Sequence, residues 1–166
     1  MPRHPARAVA NEFIRLANED GRPLTHMQIQ KLVYITHGWN LAINGEALVD
    51  EQPRAWEYGP VYRSIYSALS SYGSSPISRR IRSGTSDFVE FGEGKPVVTQ
   101  LSDSERAVLN RVYRDYGHYA AFQLSALTHA DGTPWYQTYH SDGKNAVIDN
   151  QSIRDHFVEI ANTSQN

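Results

Sequence analysis

The residues able to do chemistry in this sequence are its seven histidines, one lysine set among apolar neighbours, and a short arginine run. His129 and Asp131 share a glycine-containing loop, and with a nearby hydroxyl they would form the base, orienting acid and nucleophile of a hydrolase. That chemistry requires all three groups to converge in one pocket. A lone histidine at a helix end is more often a cap or a hydrogen-bonded strut. Ser74 and Ser75 become nucleophiles only if a base approaches them. His26 and His37 sit on one helical strip, but eleven residues of helix separate them by about 16 Å, too far to share a metal. The chain has no cysteine, which removes thiol nucleophiles, zinc–thiolate sites and disulfides. Gly92-Glu93-Gly94-Lys95 lacks the glycine spacing of a phosphate-binding loop, and Pro96 follows the lysine in place of Ser or Thr. Neither an HExxH nor a GxSxG motif occurs. The sequence therefore predicts no metal, no cofactor and no enzyme.

Lys31 falls on the apolar side of its helix, where an ammonium is costly unless paired. Either its stem packs on the core and its head reaches water, or its head is pinned by a carboxylate or by loop carbonyls. Glu57 is the candidate carboxylate. The run Arg79, Arg80, Arg82 could meet phosphate or an acidic partner, although a solvated loop is the simpler reading.

These residues need a scaffold. Thr25 and Gln28 form a capping signature, Asn44-Gly45 a stop, and the helix between them is apolar around most of its girth. A helix of that kind is buried by several neighbours. His26, Gln30, His37 and Asn40 form its narrow polar strip. A first helix is predicted over 6–18, with Val9, Phe13, Leu16 and Ala17 on one face. Residues 46–58 read as extended pieces or a loop crossing the core. Gly59 suits a sharp turn and Pro60 the first position of a helix carrying Val61, Ile65 and Leu69. Residues 74–86 read as a loop, and Phe88–Val98 as a hairpin turning at 92–95. Ser102 with Glu105 opens a helix to Tyr116. Further helices are predicted over 119–128, from Thr133-Pro134, and around Ile153, Phe157 and Ile160. The expected fold is mainly α with an α+β element: six or seven helices around a buried central helix, with a small antiparallel β hairpin. The chain reads as one domain over 1–166, with 162–166 as a frayed tail.

Composition narrows function. The net charge of −2 gives no general attraction to nucleic acid. No run approaches the ~20 apolar residues of a membrane span. The N-terminal stretch lacks the apolar region of a signal peptide, and the absence of cysteine fits a cytoplasmic protein. Ten tyrosines and three tryptophans are enough to fill a core and still supply an interface.

Three stretches in order carry a resemblance. They are Ile29-Gln30-Lys31-Leu32-Val33-Tyr34 with His37-Gly38-Trp39; Ala55-Trp56-Glu57-Tyr58-Gly59-Pro60-Val61 with Tyr66; and Leu127-Thr128-His129 with Pro134-Trp135. Together they resemble the Panacea domain, also called the SocA-like antitoxin or phage-associated GepA-like domain, over nearly the whole chain. Ile29 stands where leucine is commoner in that family. The resemblance implies a non-enzymatic antitoxin that neutralises a protein toxin by direct contact. One type of member also delivers its toxin to a protease as an adaptor, which is the alternative reading; a hydrolase using His129 and Asp131 is a third. Some members carry an added DNA-binding domain, for which this chain is neither long nor basic enough. On this reading Gln30, Lys31, Leu32, Tyr34, Trp39, Trp56, Tyr58, Gly59, Pro60, His129 and Trp135 build the platform. Arg79, Arg80, Arg82, Phe88 and Phe91 then belong to the toxin-contacting surface.

Overall fold

The computed structural model describes residues 3–164. Seven α-helices run in chain order as α1 (Ala6–Glu19), α2 (His26–Asn44), α3 (Arg63–Leu69), α4 (Asp103–Tyr116), α5 (Ala121–His129), α6 (Pro134–Asp142) and α7 (Asn150–Ser164). The short strands β1 (Arg54–Trp56) and β2 (Gly59–Val61) pair antiparallel between α2 and α3. The molecule is mainly α with a small β element, as expected.

Helix α2 is the centre. Thr25 accepts from the Gln28 N–H while the Gln28 side chain accepts from the Thr25 N–H, so both halves of the capping box form. Gly45 ends the helix in the left-handed region at φ 73°. Helices α1, α3, α4, α5 and α7 and strand β2 all pack on α2. Ile29, Leu32, Val33 and Ile35 are buried. So is most of the polar strip: Gln30, His37 and Asn40 face other segments, not water. Helix α7 comes closest. A Cβ on Gly38 would lie 2.2 Å from Phe157 Cε2, so only glycine lets the Phe157 ring seat there. That ring meets Tyr34 and Trp39 edge-on at 6.3 and 5.2 Å.

Two local expectations are corrected. Pro60 lies in β2, opposite Ala55, and the helix begins three residues later at Arg63. The fixed φ of proline suits a strand as well as a helix start, and the missing N–H is harmless on an edge. What decides is α2, which holds the Pro60 and Tyr62 backbones extended, as described below. Glu51, from the preceding loop, then caps α3 from outside by accepting from both the N–H and hydroxyl of Ser64.

The second correction concerns the hairpin at 88–98. Residues 74–101 form no strand; the antiparallel contact is a single bridge between Arg82 and Pro96. Val97 donates to Ile81 O at 3.0 Å and Ser83 to Lys95 O at 2.9 Å, so residues 84–94 are the excursion. Gly92 and Gly94 were expected to turn the chain. Instead they let the returning backbone press on Ser83 and Thr85, where a Cβ on Gly92 would sit 2.3 Å from Ser83 O.

Helices α4 and α6 begin where capping residues predict. Ser102 and Glu105 complete a capping box for α4. Thr133 caps α6, with Pro134 in its first turn. Helix α7 continues through Ser164, into the stretch expected to fray; 165–166 lie outside the described residues. Among the described residues no helix is long and apolar enough to cross a membrane.

Candidate functional site

The buried polar residues of α2 bond to the segments packed around the helix. The Gln30 side chain accepts from Tyr62 N at 2.9 Å and donates to Tyr62 O at 3.1 Å. It donates its other proton to His26 Nε2 at 3.1 Å. One residue on, Lys31 Nζ donates to Pro60 O at 2.8 Å and is fully buried. The pinned reading of Lys31 therefore holds with a loop carbonyl as partner; Glu57 is exposed and makes no bond to it. Gly59 sits directly over this lysine: a Cβ there would be 3.0 Å from Lys31 Cε, and φ is +115°. Burial pulls the Lys31 ammonium down to about 7. A lysine near neutrality in a closed site can serve as a base. Here the bond to Pro60 O uses the ammonium to hold the β1–β2 turn against α2.

The histidines are also occupied. His37 Nδ1 accepts from Val49 N at 3.3 Å, so its proton is on Nε2, which donates to Asn150 Oδ1 at 2.9 Å. Burial holds His37 and His26 neutral, each pulled down to about 4. His129 is half-buried and packs on Trp135 with ring centres 5.2 Å apart. Asp131 is exposed, and no hydrogen bond joins it to His129 among the described residues. The nearby Thr128 and Thr133 hydroxyls donate to the backbone carbonyls of Leu124 and Ala130. No cluster of three or more metal-ligating side chains occurs among the described residues.

The other residues of the three motifs sit around these bonds. Leu32, Tyr34 and Trp135 are buried, and Trp135 Nε1 donates to Trp56 O at 2.7 Å, tying α6 to β1. Trp39 and Trp56 are half-buried. Tyr58 differs: it lies in the β1–β2 turn with its side chain in solvent, and only its carbonyl is used, by Ser125 Oγ at 2.6 Å.

The arginine and phenylalanine residues lie together on the 74–98 loop. Buried Asn11 on α1 anchors that loop, accepting from Ile81 N at 2.6 Å and donating to Ile81 O and Val97 O. Arg7 bridges α3 and the loop through Ser64 O and Thr85 O. Phe91 is braced between the Tyr72 ring, 6.0 Å away and edge-on, and the Arg79 guanidinium 4.9 Å above its face. Arg80 and Arg82 are exposed, and Phe88 is 97% exposed at the outer end of the excursion. Sequence reading missed Asn11 and Arg7. A single asparagine on a helical face carries no signal that it will serve as the bracket for a segment 70 residues on.

Comparison with known proteins agrees with the ordered motifs. The family model "Antitoxin SocA-like, Panacea domain" matches residues 29–136. The chain is also similar to Antitoxin SocA of Caulobacter vibrioides (strain NA1000 / CB15N), with 31% identity over 141 residues, 84% of this chain and 73% of the relative. No solved structure matches. A matched segment that includes the Gln30–Tyr62 and Lys31–Pro60 pairs, and a relative aligned over most of both lengths, place the chain in the SocA-like antitoxin, Panacea domain family.

Proposed function

We propose that this protein is a cytoplasmic antitoxin that neutralises a cognate protein toxin by direct contact, without catalysis. The observation that carries the reading is the 74–98 loop. It has no regular secondary structure, yet Asn11 and Arg7 fasten it to the helical platform, and it holds Phe88 almost wholly in solvent. A large apolar side chain kept in water on an anchored support is the composition of an interface anchor. Arg79, Arg80, Arg82 and Phe91 lie on the same loop and supply the aromatic and arginine content that interfaces favour. The motif residues of α2 and β2 form the platform, since Gln30 and Lys31 spend their polar groups on the Tyr62 and Pro60 backbones inside the fold.

The test uses the reading frame beside this gene. Expressed alone, that frame should arrest growth; co-expressed with this chain, it should be harmless, and the two proteins should co-purify. Rescue without co-purification would overturn direct contact. Toxin abundance separates blockade from delivery to a protease: blockade leaves it unchanged, and an adaptor lowers it.

A further inference from the structure

At the other end of α3 from Leu69 lies an open recess of about 440 Å³ lined by Trp56, Arg63, Lys144 and Asn145. The 143–147 segment is stitched to β1 by Ala55 N to Ala146 O at 2.9 Å and Asn145 N to Ala55 O at 2.7 Å. Asn145 takes a left-handed φ of 73° and accepts from Trp56 Nε1 at 3.0 Å, which fixes the indole in the wall. Arg54 donates to Asn145 O at 3.2 Å, adding a third cation. None of Arg54, Arg63 and Lys144 makes an ion pair among the described residues, although the chain as a whole carries −2.

The recess continues into the surface already described. Arg63 and Tyr66 are exposed on α3, and Tyr66 packs on Trp56 at 4.8 Å. The same helix leads through Ser70 to Tyr72, which braces Phe91. Arg7 bonds both to Ser64 on α3 and to Thr85 on the loop, so the two ends are fastened to one support. We infer that this recess receives an acidic segment of the toxin, with carboxylates on Arg63 and Lys144 and an apolar or aromatic side chain against Trp56. The inference rests on the antitoxin reading. The open mouth and the exposed aromatic rim suit a protein better than a small molecule, which pockets normally enclose. Unpaired cations beside exposed aromatics are what a negatively charged protein surface would complement.

The experiment measures toxin binding by the full chain, with the neighbouring gene's product as probe, at low and high salt. The double charge reversal Arg63→Glu with Lys144→Glu should weaken binding at least tenfold, flatten the salt dependence and leave the melting temperature unchanged. Should it lower the melting temperature, Arg63→Gln with Lys144→Gln removes the charges without adding repulsion and should still weaken binding. Wild-type affinity in the neutralised variant overturns the inference and leaves the antitoxin reading standing. No binding by the wild-type chain overturns both. ATP is the control anion: if it binds the free chain, is lost in the double variant and does not compete with toxin, the recess is a small-anion site and the inference fails.

Discussion

The Gln30 side-chain amide meets the Tyr62 backbone as a neighbouring strand would, accepting from its N–H and donating to its carbonyl. One helical side chain thereby takes the place of a ladder partner for the extended residue that follows β2. The site is buried, so neither Tyr62 group can turn to water instead.

Gln30→Leu therefore leaves the buried Tyr62 N–H unpaired, whereas the Tyr62 carbonyl keeps its bond from Tyr66 N at 3.0 Å, and the variant should cost about 1–3 kcal/mol in urea unfolding for the one orphaned donor. Gln30→Glu keeps the acceptor but loses the donor and should also be destabilised. Gln28→Ala removes only a capping-box arm and a bond to Tyr119 O, and should cost about 1 kcal/mol.

Lys31 gives a pH-dependent outcome. Its folded pKa lies near 7, below the ordinary lysine value. The unfolded chain then holds a proton between about 7 and about 10.4 that the folded chain has released, so stability rises with pH across that window. Below 7 both states are charged and the contribution is flat. Lys31→Met removes this slope. It should also be less stable than wild type by about 1–3 kcal/mol near pH 10, where the Pro60 carbonyl loses its donor and no desolvation cost is relieved. A Met variant that keeps the alkaline rise would show that another group titrates there.

His26 and His37 act at the acid end. Both are held near 4 when folded, chiefly by burial. The unfolded chain takes up protons near 6.5 and the folded chain does not, so stability falls as pH drops from about 6.5 toward 4. Melting temperatures read across this range should fall steeply for wild type and less for His26→Gln.

Gly38→Ala places a methyl inside the Phe157 ring position. Overpacking of this kind costs about 1–3 kcal/mol. Phe157→Leu opens the space, so the double variant should lose less than the sum of the two single losses. Additive losses would mean that α7 moves as a body and the ring is not the obstacle.

On the proposed interface, Phe88→Ala should leave the melting temperature unchanged and reduce toxin binding by at least about 2 kcal/mol if Phe88 is an anchor. Unfolding in place of weakened binding would reassign the loop to the platform.

Helices were legible wherever capping and periodicity agreed: Thr25 with Gln28, Ser102 with Glu105, and Thr133 with Pro134 each start a helix in the structure. Pro60 carries no local signal that separates a helix start from a strand, since proline suits both; the side chains that choose between them are about 30 residues earlier. In the 88–98 segment Gly92 and Gly94 resemble the turn residues of a hairpin, whereas they act by permitting close approach to Ser83. The polar strip of α2 was visible as a pattern, but its partners, from Tyr62 to Asn150, could not be read from local spacing. The Trp56 recess had no sequence signal at all, since Arg63 and Lys144 meet only through the stitching of the 143–147 segment to β1.

The seat of Phe157 against Gly38 has a consequence for synthesis. The middle of α2 is covered by α7, and His37 takes one of its two partners from Asn150, 113 residues further along the chain. Until the ribosome releases those residues, α2 presents an apolar groove with one unfilled polar socket. A chain cut before Asn150 should therefore leave that groove uncovered and His37 without its acceptor.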